Sequence, residues 1–390
     1  MATDGLFAFD DEASAALAAA HGTPLFAYSG AIVRATYAEL RNALPLRVRI
    51  AYAVKANPHP AILAALAPLG ASFDCASIGE LDRVAALGAI KGSVFFAGPG
   101  KRTVELERAF RMGVRVQAEG FEDLERLDAI ARREGVKEVG VNLRIHPRSG
   151  IAEANRIIGG TGPSAFGVDE EDVDRVLLDA KRLGAVRIRG IHVFAASNER
   201  EQARLAATHA MVFELARRVE DRLGTPLEQI DVGGGLGVPY APSETPLDLR
   251  AFGRSFEKLL LDNAWFQGEA IVEPGRFLAA RCGVYLARVV REKSSRGARF
   301  VILEGGVNHL LRPHLTGQPF PVRAVGIDGP RTPAILAGPL CTSLDRLGTV
   351  DLPPLRPGDL LAFGTAGAYG FTEGMTHFLS HPVPPEVFVE

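Results

Sequence analysis

The sequence predicts a (β/α)8 barrel, also called a TIM barrel, followed by an all-β domain. From residue 49 onward, apolar periodicity gives eight strand-like runs that alternate with amphipathic helix-like segments. After Glu273 the pattern changes to short β-branched and aromatic runs separated by Gly, Pro and Asp. Eight alternating units favour a closed barrel, and periodicity alone leaves an open doubly wound sheet as the alternative.

The predicted strands and helices of the barrel alternate along the chain. Apolar and β-branched runs predict strands near residues 49–56, 71–77, 93–98, 114–119, 138–145, 187–197, 229–234 and 269–275. Apolar residues at three- and four-residue spacing predict helices over residues 59–69, 78–87, 103–112, 121–133, 169–183, 201–223 and 247–262. The segment 31–44 precedes the first strand and supplies the eighth helix.

The β domain is predicted to be discontinuous in sequence. Leu25–Tyr28 has the pattern of a strand ahead of the barrel. Three further strand-like runs follow the barrel, at residues 283–290, 298–304 and 321–326. We therefore predict a barrel domain over residues 30–275 and a β domain that combines residues 1–29 with residues 276–390.

The bulk composition favours small-molecule chemistry over binding to a nucleic acid or a membrane. The 44 Lys and Arg residues nearly balance the 46 Asp and Glu residues, so there is no basic excess for a polyanion. No apolar run is long enough to span a bilayer, and the first residues lack the pattern of a secretory signal. We therefore expect a cytoplasmic protein without nucleic-acid or membrane partners.

The three cysteines predict neither a disulfide framework nor a metal site. Cys75, Cys282 and Cys341 are far apart in sequence, and none has a CxxC or histidine-paired spacing. A thiol in such a setting is expected to be free. We predict no metal ligands in this chain.

The residues best suited to catalysis or ligand binding fall at the C-terminal ends of the predicted barrel strands. In a barrel, these ends surround the active site. Lys55 ends the first strand, Asp74 the second and Arg144 the fifth. The last three strands run into the segments His192–Ser197, Asp231–Gly237 and Glu273–Arg276. This co-location is stronger than any single motif, although Arg144 alone is equally consistent with an ion pair at the barrel mouth.

Lys55 is a candidate covalent catalyst. Burial disfavours the ammonium form of a lysine, and only the neutral amine attacks an aldehyde to form a Schiff base. An isolated lysine is more often a solvated surface charge, so this interpretation depends on the other residues at the strand ends.

Two further features are compatible with a phosphorylated cofactor. Gly233, Gly234 and Gly235 lack Cβ atoms, so their backbone N–H groups are able to approach an anion, and the loops after strands seven and eight are a common phosphate site in barrels. A tight turn is the alternative for a glycine triplet. Glu273 is able to bind a cofactor heteroatom such as a pyridine nitrogen, and an ion pair with Arg276 is the alternative.

Six ordered motifs give the sequence a specific resemblance. They are Tyr52–Asn57, Phe73–Ser77, Gly233–Gly235, Glu273–Arg276, Cys341–Asp345 and Gly367–Tyr369. In this order they resemble the motifs of the fold-type III pyridoxal-phosphate-dependent decarboxylases, the family of diaminopimelate and ornithine decarboxylases. The resemblance covers nearly the whole chain. It implies an alanine racemase-like barrel with a β domain, pyridoxal 5'-phosphate as the cofactor, and a homodimer with shared active sites.

The resemblance also implies roles for individual residues. Lys55 would form the Schiff base with the cofactor, and Glu273 would bind the pyridine nitrogen. The remaining cofactor-binding residues would be Asp74, Phe194, Ser197, Gly234, Gly235, Gly275, Arg276 and Tyr369.

Cys341 would act from the β domain, which completes the active site of the partner subunit in the dimer. Its thiol would return a proton to the substrate carbon after carbon dioxide leaves. Without the matching motif, a buried structural cysteine would be the simpler interpretation. Arg276, Asp345 and Tyr369 would contact the substrate.

The sequence departs from the family pattern at two positions. Phe194 stands where many relatives have a histidine over the cofactor ring, and a phenyl ring stacks but neither titrates nor donates a hydrogen bond. An ordinary core phenylalanine is the alternative. Thr342 stands where diaminopimelate decarboxylases typically have a glutamate, so a carboxylate that would recognise a distal ammonium is missing, although Asp345 remains as an acid nearby.

These departures point to a particular branch of the family. The residues of the C-terminal motifs resemble those of two groups of relatives. One group is the decarboxylases that act on aminoacyl groups tethered to acyl-carrier proteins, as in butirosin-type pathways, and the other is the exosortase-associated relatives. We therefore predict an enzyme that removes the α-carboxylate of an L-amino acid or of a carrier-tethered aminoacyl group.

Three alternatives stay open at this point. Two are enzymes, a decarboxylase of free diamino acids of the diaminopimelate type and an amino-acid racemase. Glu273 argues against the racemase, because a protonated pyridine is a strong electron sink. The third is a regulatory protein that binds the cofactor without turnover, and the presence of both Lys55 and Cys341 argues against it.

Overall fold

The computed structural model describes residues 5–88, 92–148, 162–194 and 196–390. The chain divides into two compact units. The barrel unit comprises Thr36–Gly237 and Leu247–Gly275, and the sheet unit comprises Met1–Ala35, Val238–Pro246 and Arg276–Glu390. The domain limits proposed from the sequence, with a barrel over residues 30–275, remain a prediction.

The elements of the described residues follow the alternation that the sequence predicts. The strands are β1 (Leu25–Ser29), β2 (Val48–Ala53), β3 (Ser72–Cys75), β4 (Val94–Phe96), β5 (Arg115–Ala118), β6 (Val139–His146), β7 (Val168–Asp169), β8 (Val186–His192), β9 (Gln229–Asp231), β10 (Glu269–Val272), β11 (Gly283–Ser295), β12 (Ala298–Leu303), β13 (Val322–Ala324), β14 (Thr332–Ala337), β15 (Arg346–Leu352), β16 (Leu360–Phe363) and β17 (Glu386–Val389). The α-helices are α1 (Asp11–His21), α2 (Gly30–Ala43), α3 (Pro60–Leu66), α4 (Ile78–Ala85), α5 (Thr103–Arg111), α6 (Phe121–Arg133), α7 (Val173–Ala180), α8 (Gln202–Leu223), α9 (Leu249–Asp262), α10 (Arg276–Ala279) and α11 (Arg312–Thr316).

The barrel unit is a closed ring of parallel strands. Its order is β2, β3, β4, β5, β6, β8, β9 and β10, and β10 pairs in parallel with β2. On the opposite side of the ring, β5 pairs in parallel with β6 and connects strands β2–β5 to strands β6, β8, β9 and β10. This topology confirms the predicted (β/α)8 barrel and excludes the open sheet, because a ring has no edge strand.

One predicted helix of the barrel unit is shorter than its sequence pattern indicates. The segment 169–183 begins with β7 and a turn of 3₁₀ helix, and α7 starts only at Val173. The delay has a backbone cause, because Val168 and Asp169 pair with Ile145 and His146 of β6 as strand residues. The predicted run 187–197 likewise ends as a strand at His192, and its Ala195 lies outside the described residues.

The first barrel strand ends in a turn that carries Lys55. β2 stops at Ala53, and residues Val54–Ala56 form one turn of 3₁₀ helix. The Tyr52 hydroxyl donates to the carbonyl of Asn57 at 2.9 Å and closes this turn. A Cβ at Gly275 would lie 3.0 Å from the Cβ atoms of Ala53 and Ala56, so the chain after β10 packs directly against the turn.

The sheet unit is mostly β structure, as predicted. Its strands run in the order β13, β16, β11, β12, β14, β15, and β1 joins through β11 and β17. β11 is the central element, because its first half pairs with β1 and β16 and its second half pairs with β12. The sequence patterns did not predict α1, or the short helices α10 and α11, in this unit.

No helix within the described ranges combines the length and the apolar character needed to cross a membrane.

A buried histidine lies between two outer helices of the barrel unit. His209 of α8 packs with its ring centroid 5.8 Å from that of Phe252 and 5.3 Å from that of Phe256, both on α9. Burial among these rings lowers the pKa of His209 from its ordinary value of 6.5 to about 4. The folded protein therefore keeps this imidazole neutral over a pH range in which the unfolded chain protonates it.

This difference predicts an acid-sensitive contribution to stability. Between pH 6.5 and 4 the unfolded state binds the proton and the folded state does not, so the free energy of unfolding falls with falling pH, by about 3 kcal/mol in total. His209→Leu should flatten this slope in urea denaturation at a series of pH values. His21→Leu, on the exposed end of α1, is the control and should leave the slope unchanged. An unchanged slope in His209→Leu would contradict the assignment.

Candidate active site

Lys55 and Asp74 lie together at the C-terminal end of the barrel. β2 and β3 pair with Ala53 opposite Asp74, and this register brings the Asp74 carboxylate to 3.9 Å from Lys55 Nζ. The Asp74 side chain is buried, whereas 36% of the Lys55 side chain is exposed. The amine is therefore accessible on one side and faces a buried carboxyl group on the other.

Glu273 lies in a buried polar cluster with His192, Asp231 and Gln117. His192 Nε2 is 3.3 Å from Glu273 Oε2. Gln117 Nε2 donates to Asp231 Oδ2 at 3.1 Å and approaches Glu273 Oε1 at 3.3 Å. The strand register explains the grouping, because His192 at the end of β8 pairs with Asp231 at the end of β9.

The hydrogen bonds of this cluster favour proton sharing over metal binding. Ligand atoms of His192, Asp231 and Glu273 lie within 4.8 Å of one another, a spacing that would suit a cation. However, the amide of Gln117 directs N–H donors at both carboxyl groups. A donor at that point competes with a positive ion for the same oxygen atoms.

Among Glu273, Asp74 and Asp231, only the surroundings of Glu273 lower the pKa and favour the ionised form. Burial raises its pKa, but His192 and Lys55 outweigh that effect and bring the pKa down to about 2. Burial and the charge of Glu273 raise the pKa of Asp74 to about 8, and the same two causes raise the pKa of Asp231 well above its ordinary value. These shifts favour a negative charge at Glu273 over one at Asp74 or Asp231.

Phe194 lies between Lys55 and the glycine loop. Its ring centroid is 4.9 Å from Lys55 Nζ. A Cβ placed on Gly233 would lie 3.4 Å from Cδ2 of this ring, and one placed on Gly234 would lie 3.4 Å from Cε2. The phenyl ring is thus a half-buried apolar surface at the centre of the strand ends.

The glycine loop after β9 has no room for side chains. A Cβ at Gly233 would lie 2.5 Å from the Val193 carbonyl oxygen, one at Gly234 would lie 2.5 Å from the Glu273 carbonyl oxygen, and one at Gly235 would lie 2.6 Å from the Ala196 Cβ. Gly233 and Gly235 also have φ angles of +72° and +105°, which favour glycine. The bare backbone is a requirement of this turn.

These residues fit the cofactor that the sequence predicts. Across the described residues, the backbone N–H groups of Gly234 and Gly235 have no hydrogen-bond partner, and they are suitable donors for a phosphate. The buried Asp74 Oδ1 also has no partner among these residues. A primary amine, an ionised buried carboxylate and a flat apolar ring complete the chemistry that pyridoxal phosphate needs.

The remaining predicted residues of the barrel unit have simpler surroundings. Ser197 is half-buried, and Gly275 packs against the turn that carries Lys55. Arg144 forms an ion pair with Glu119, with Nη1 at 2.7 Å from Oε1. Glu119 also accepts the backbone N–H of Gly98, so this pair connects two loops at the barrel mouth.

The predicted residues Arg276 and Tyr369 lie side by side in the sheet unit. The Arg276 guanidinium is 5.0 Å from the centroid of the Tyr369 ring, and its Nη1 donates to the Tyr240 hydroxyl at 2.7 Å. On the other side of Tyr369, the Arg312 guanidinium lies 4.3 Å from the same ring. Tyr369 therefore lies between two arginines, in a backbone conformation with φ of +59° that is uncommon for residues other than glycine.

Arg312 is neutralised by an acid from its own chain. Its Nη1 contacts Glu373 Oε1 at 2.8 Å and Oε2 at 2.9 Å. Only 5% of the Arg312 side chain is exposed, compared with 24% of the Glu373 side chain. A buried arginine needs a counter-charge, and Glu373 provides it.

Cys341 and Asp345, the other predicted residues of the sheet unit, differ in accessibility. Cys341 is an exposed free thiol. Asp345 is buried, and its oxygens accept the backbone N–H groups of Val307 at 2.8 Å and Leu340 at 2.7 Å. Asp345 therefore fixes two loops together, and its contact with a substrate stays a prediction.

Sequence reasoning missed four residues of these clusters. Gln117 had a usable signal, because it is an uncharged polar residue near the C-terminal end of the predicted strand 114–119. Tyr240, Arg312 and Glu373 had none, since their partners are 36 to 61 positions away and only the fold brings them together.

Known proteins match most of the length of this chain. Residues 30–280 match the family model described as pyridoxal-dependent decarboxylase, pyridoxal binding domain. An L-glutamyl-(BtrI acyl-carrier protein) decarboxylase from Niallia circulans is 32% identical over 379 residues, which cover 94% of this chain and 88% of that protein. A diaminopimelate decarboxylase from Helicobacter pylori is 32% identical over 356 residues, which cover 89% of this chain and 86% of that protein.

The fold is also similar to a solved structure. The crystal structure of diaminopimelate decarboxylase from Helicobacter pylori complexed with L-lysine matches with a TM-score of 0.88 and 29% sequence identity. The match covers 96% of this chain and 94% of that chain.

The buried cluster predicts a specific role for Gln117. Gln117→Leu removes the amide that contacts both carboxyl groups, so the pKa of Glu273 should rise and the absorption bands of the bound cofactor should change with pH over a shifted range. Activity should fall by about tenfold, the scale of one lost buried hydrogen bond to a charged group.

A matched control is available in the same barrel interior. Asn142 is also buried, and its amide donates at 3.1 Å to the neutral Gln229 side chain. Asn142→Leu should reduce stability and leave the pH dependence of the absorption bands unchanged. Identical pH profiles for the two variants would contradict the role of Gln117.

Proposed function

This chain belongs to the pyridoxal-dependent decarboxylase family, and we propose that its substrate is an aminoacyl group tethered to an acyl-carrier protein. The chain is a decarboxylase that uses pyridoxal phosphate, so the proposal concerns which carboxylate it removes and from what molecule. The enzyme would take the α-carboxylate and leave the tether intact.

The residues of the barrel unit would hold the cofactor. Lys55 would hold it covalently, Glu273 would bind its ring nitrogen, and the amides of Gly234 and Gly235 would bind its phosphate. When bound, pyridoxal phosphate supplies an electron sink for the electron pair that carbon dioxide leaves behind. The negative charge at Glu273 would keep a proton on the ring nitrogen, and Phe194 would exclude water from one face of the site.

Cys341 is the proposed proton donor. Its exposed thiol would return a proton to the α-carbon from the partner subunit of a homodimer. The family resemblance supports this arrangement.

The ion pair between Arg312 and Glu373 is the main observation in favour of a tethered substrate. The pair lies against Tyr369, which is predicted to contact the substrate. With Glu373 in place, Arg312 has no free charge for a distal carboxylate. A thioester carbonyl is neutral, so a tethered substrate has a distal end that needs no free cation beside Tyr369.

Thr342 supports the same conclusion for the opposite charge. It follows Cys341 directly and has a neutral side chain, whose Oγ1 accepts the backbone N–H of Leu344 at 3.2 Å. Asp345 is the nearest acid in sequence, and both of its oxygens already accept backbone N–H groups. A distal ammonium would therefore meet little negative charge on this segment.

A decarboxylase of free diamino acids is the second candidate. The similarity to the diaminopimelate decarboxylase of Helicobacter pylori favours it, including the structure with L-lysine bound. The similarity to the carrier-protein decarboxylase of Niallia circulans supports the tethered substrate, and the two candidates differ in the charge at the distal end.

Carbon dioxide release by the cofactor-loaded enzyme separates the candidates. We expect release from glutamyl and related carrier-protein thioesters, and little from free diaminopimelate, lysine, ornithine, arginine or glutamate. Lys55→Ala is the control for cofactor-dependent turnover. Efficient release from a free diamino acid alone would overturn the tethered substrate, and racemised substrate without release would indicate a racemase.

Glu373 provides a sharper test. Glu373→Gln frees the charge of Arg312 while keeping the side-chain size, so free glutarate should become a better inhibitor by about tenfold, as expected for one gained charge-assisted contact. The double variant Glu373→Gln with Arg312→Met should lose this gain. Equal glutarate inhibition of the wild type and Glu373→Gln would show that Arg312 does not face the substrate.

A further inference from the structure

The sheet unit has a groove of about 260 Å³, and Asp345 is the one residue with a predicted role among those that line it. Its floor is one face of the sheet formed by β11, β12, β14 and β15. In this sheet Arg291 pairs with Ile302, Ile302 with Ala337, and Ala337 with Arg346. Residues paired in register share a face, so this row places two arginines at the two sides of an apolar strip.

A bulge in β11 sets which residues face the groove. The register advances two residues on β11, from Val289 to Arg291, against one on β12. Beyond the bulge, alternation places Arg291 and Lys293 on the same face, because residues two apart in a strand point the same way. Both side chains line the groove.

The groove contains three cations without partners. Arg291, Lys293 and Arg346 are exposed, and their side chains form no ion pair or hydrogen bond within the described part of the chain. Four other arginines of the sheet unit form ion pairs with acids among the described residues, namely Arg34, Arg299, Arg312 and Arg323. Among the described residues that line the groove, Asp345 is the only acid, and backbone N–H groups occupy its oxygens.

The three cations converge over an apolar floor. The Arg346 guanidinium lies 5.7 Å from the centroid of the Phe300 ring, and Phe300 is the direct strand partner of Lys293. Arg346 and Arg291 start three strands apart, a distance of about 14 Å that two arginine side chains are able to close. A single anion over Ile302 and Phe300 would therefore contact both sides of the groove.

The groove also adjoins the proposed proton donor. Thr342 and Ser343 line it, and they follow Cys341 directly in the sequence. Their hydroxyl groups add neutral donors to the cationic set. An anion in this groove would lie beside the segment that carries Cys341.

We propose that this groove binds the phosphate and the pantetheine portion of a carrier protein's phosphopantetheine arm. The proposal rests on the tethered substrate proposed above. Arg291, Lys293 and Arg346 bind the phosphate, and Phe300 and Ile302 contact the apolar part of the arm. A phosphate joined to a partly apolar chain matches this combination of three cations and an apolar strip, which a free amino acid does not need.

Direct binding tests the groove without any turnover. Calorimetric titration of the holoenzyme should show that 4'-phosphopantetheine binds more tightly than pantetheine, by at least about tenfold, since several partly exposed cations act together. Arg291→Gln, Lys293→Gln and Arg346→Gln together should remove this difference. Arg331→Gln, another exposed and unpartnered arginine of the sheet unit, should not.

Inorganic phosphate is the second probe in this titration. Weak binding of inorganic phosphate alone is expected, because the arm contributes its apolar contacts. If inorganic phosphate binds as tightly as 4'-phosphopantetheine, the groove is a plain anion site and the proposal is wrong. Equal binding of pantetheine and 4'-phosphopantetheine would also overturn it.

Turnover separates this inference from the proposed function. With glutamyl thioesters of the carrier, of phosphopantetheine and of pantetheine, the triple variant should raise KM about tenfold for the first two and leave the pantetheine thioester unchanged. Equal KM values for the three thioesters in the wild type would contradict the proposed role of the groove. The tethered substrate would still stand. If no thioester reacts and a free diamino acid does, the tethered substrate fails, and the binding titration still decides whether the groove recognises the arm.

Discussion

The barrel unit is organised around one buried negative charge. An ionised carboxylate away from water is stable only if nearby groups compensate for the lost hydration, and Glu273 has His192, Gln117 and Lys55 for this purpose. Their positions follow from the closed ring, in which the ends of β5, β8 and β10 point to one region. The raised pKa values of Asp74 and Asp231 follow from burial and from this charge, because further negative charges beside Glu273 would be repelled.

The sequence predicted the barrel well because the relevant signal is local. The pattern that predicts each strand or amphipathic helix spans about ten consecutive residues. The turns with glycine or Glu-Pro-Gly mark where the strands end. It predicted less of the site, since Gln117, Tyr240 and Arg312 act through partners far away in sequence. Asp345 illustrates the same limit, because a motif gives the residue type and cannot tell whether the carboxylate faces a substrate or two backbone amides.

The two units handle charge in different ways. In the barrel unit, buried acids outnumber the bases that lie beside them, and proton sharing settles the balance. In the sheet unit, the buried charge near Tyr369 is already paired, through Glu373 on Arg312, whereas the unpaired cations lie on an exposed face. In the sheet unit, a paired interior charge together with unpaired exterior cations suits the proposed tethered substrate, which has a neutral thioester and a phosphate on its arm.

The bulge between Val289 and Arg291 has a consequence for how such a surface is maintained. The bulge takes up one extra residue, so deleting Val290 would restore regular alternation and leave Arg291 opposite Ile302 and Lys293 opposite Phe300. The first half of β11, which pairs with β1 and β16, would keep its register. The length of β11 is therefore free to change by one residue at this point without moving the cationic face, so the groove tolerates a change that would invert a regular strand.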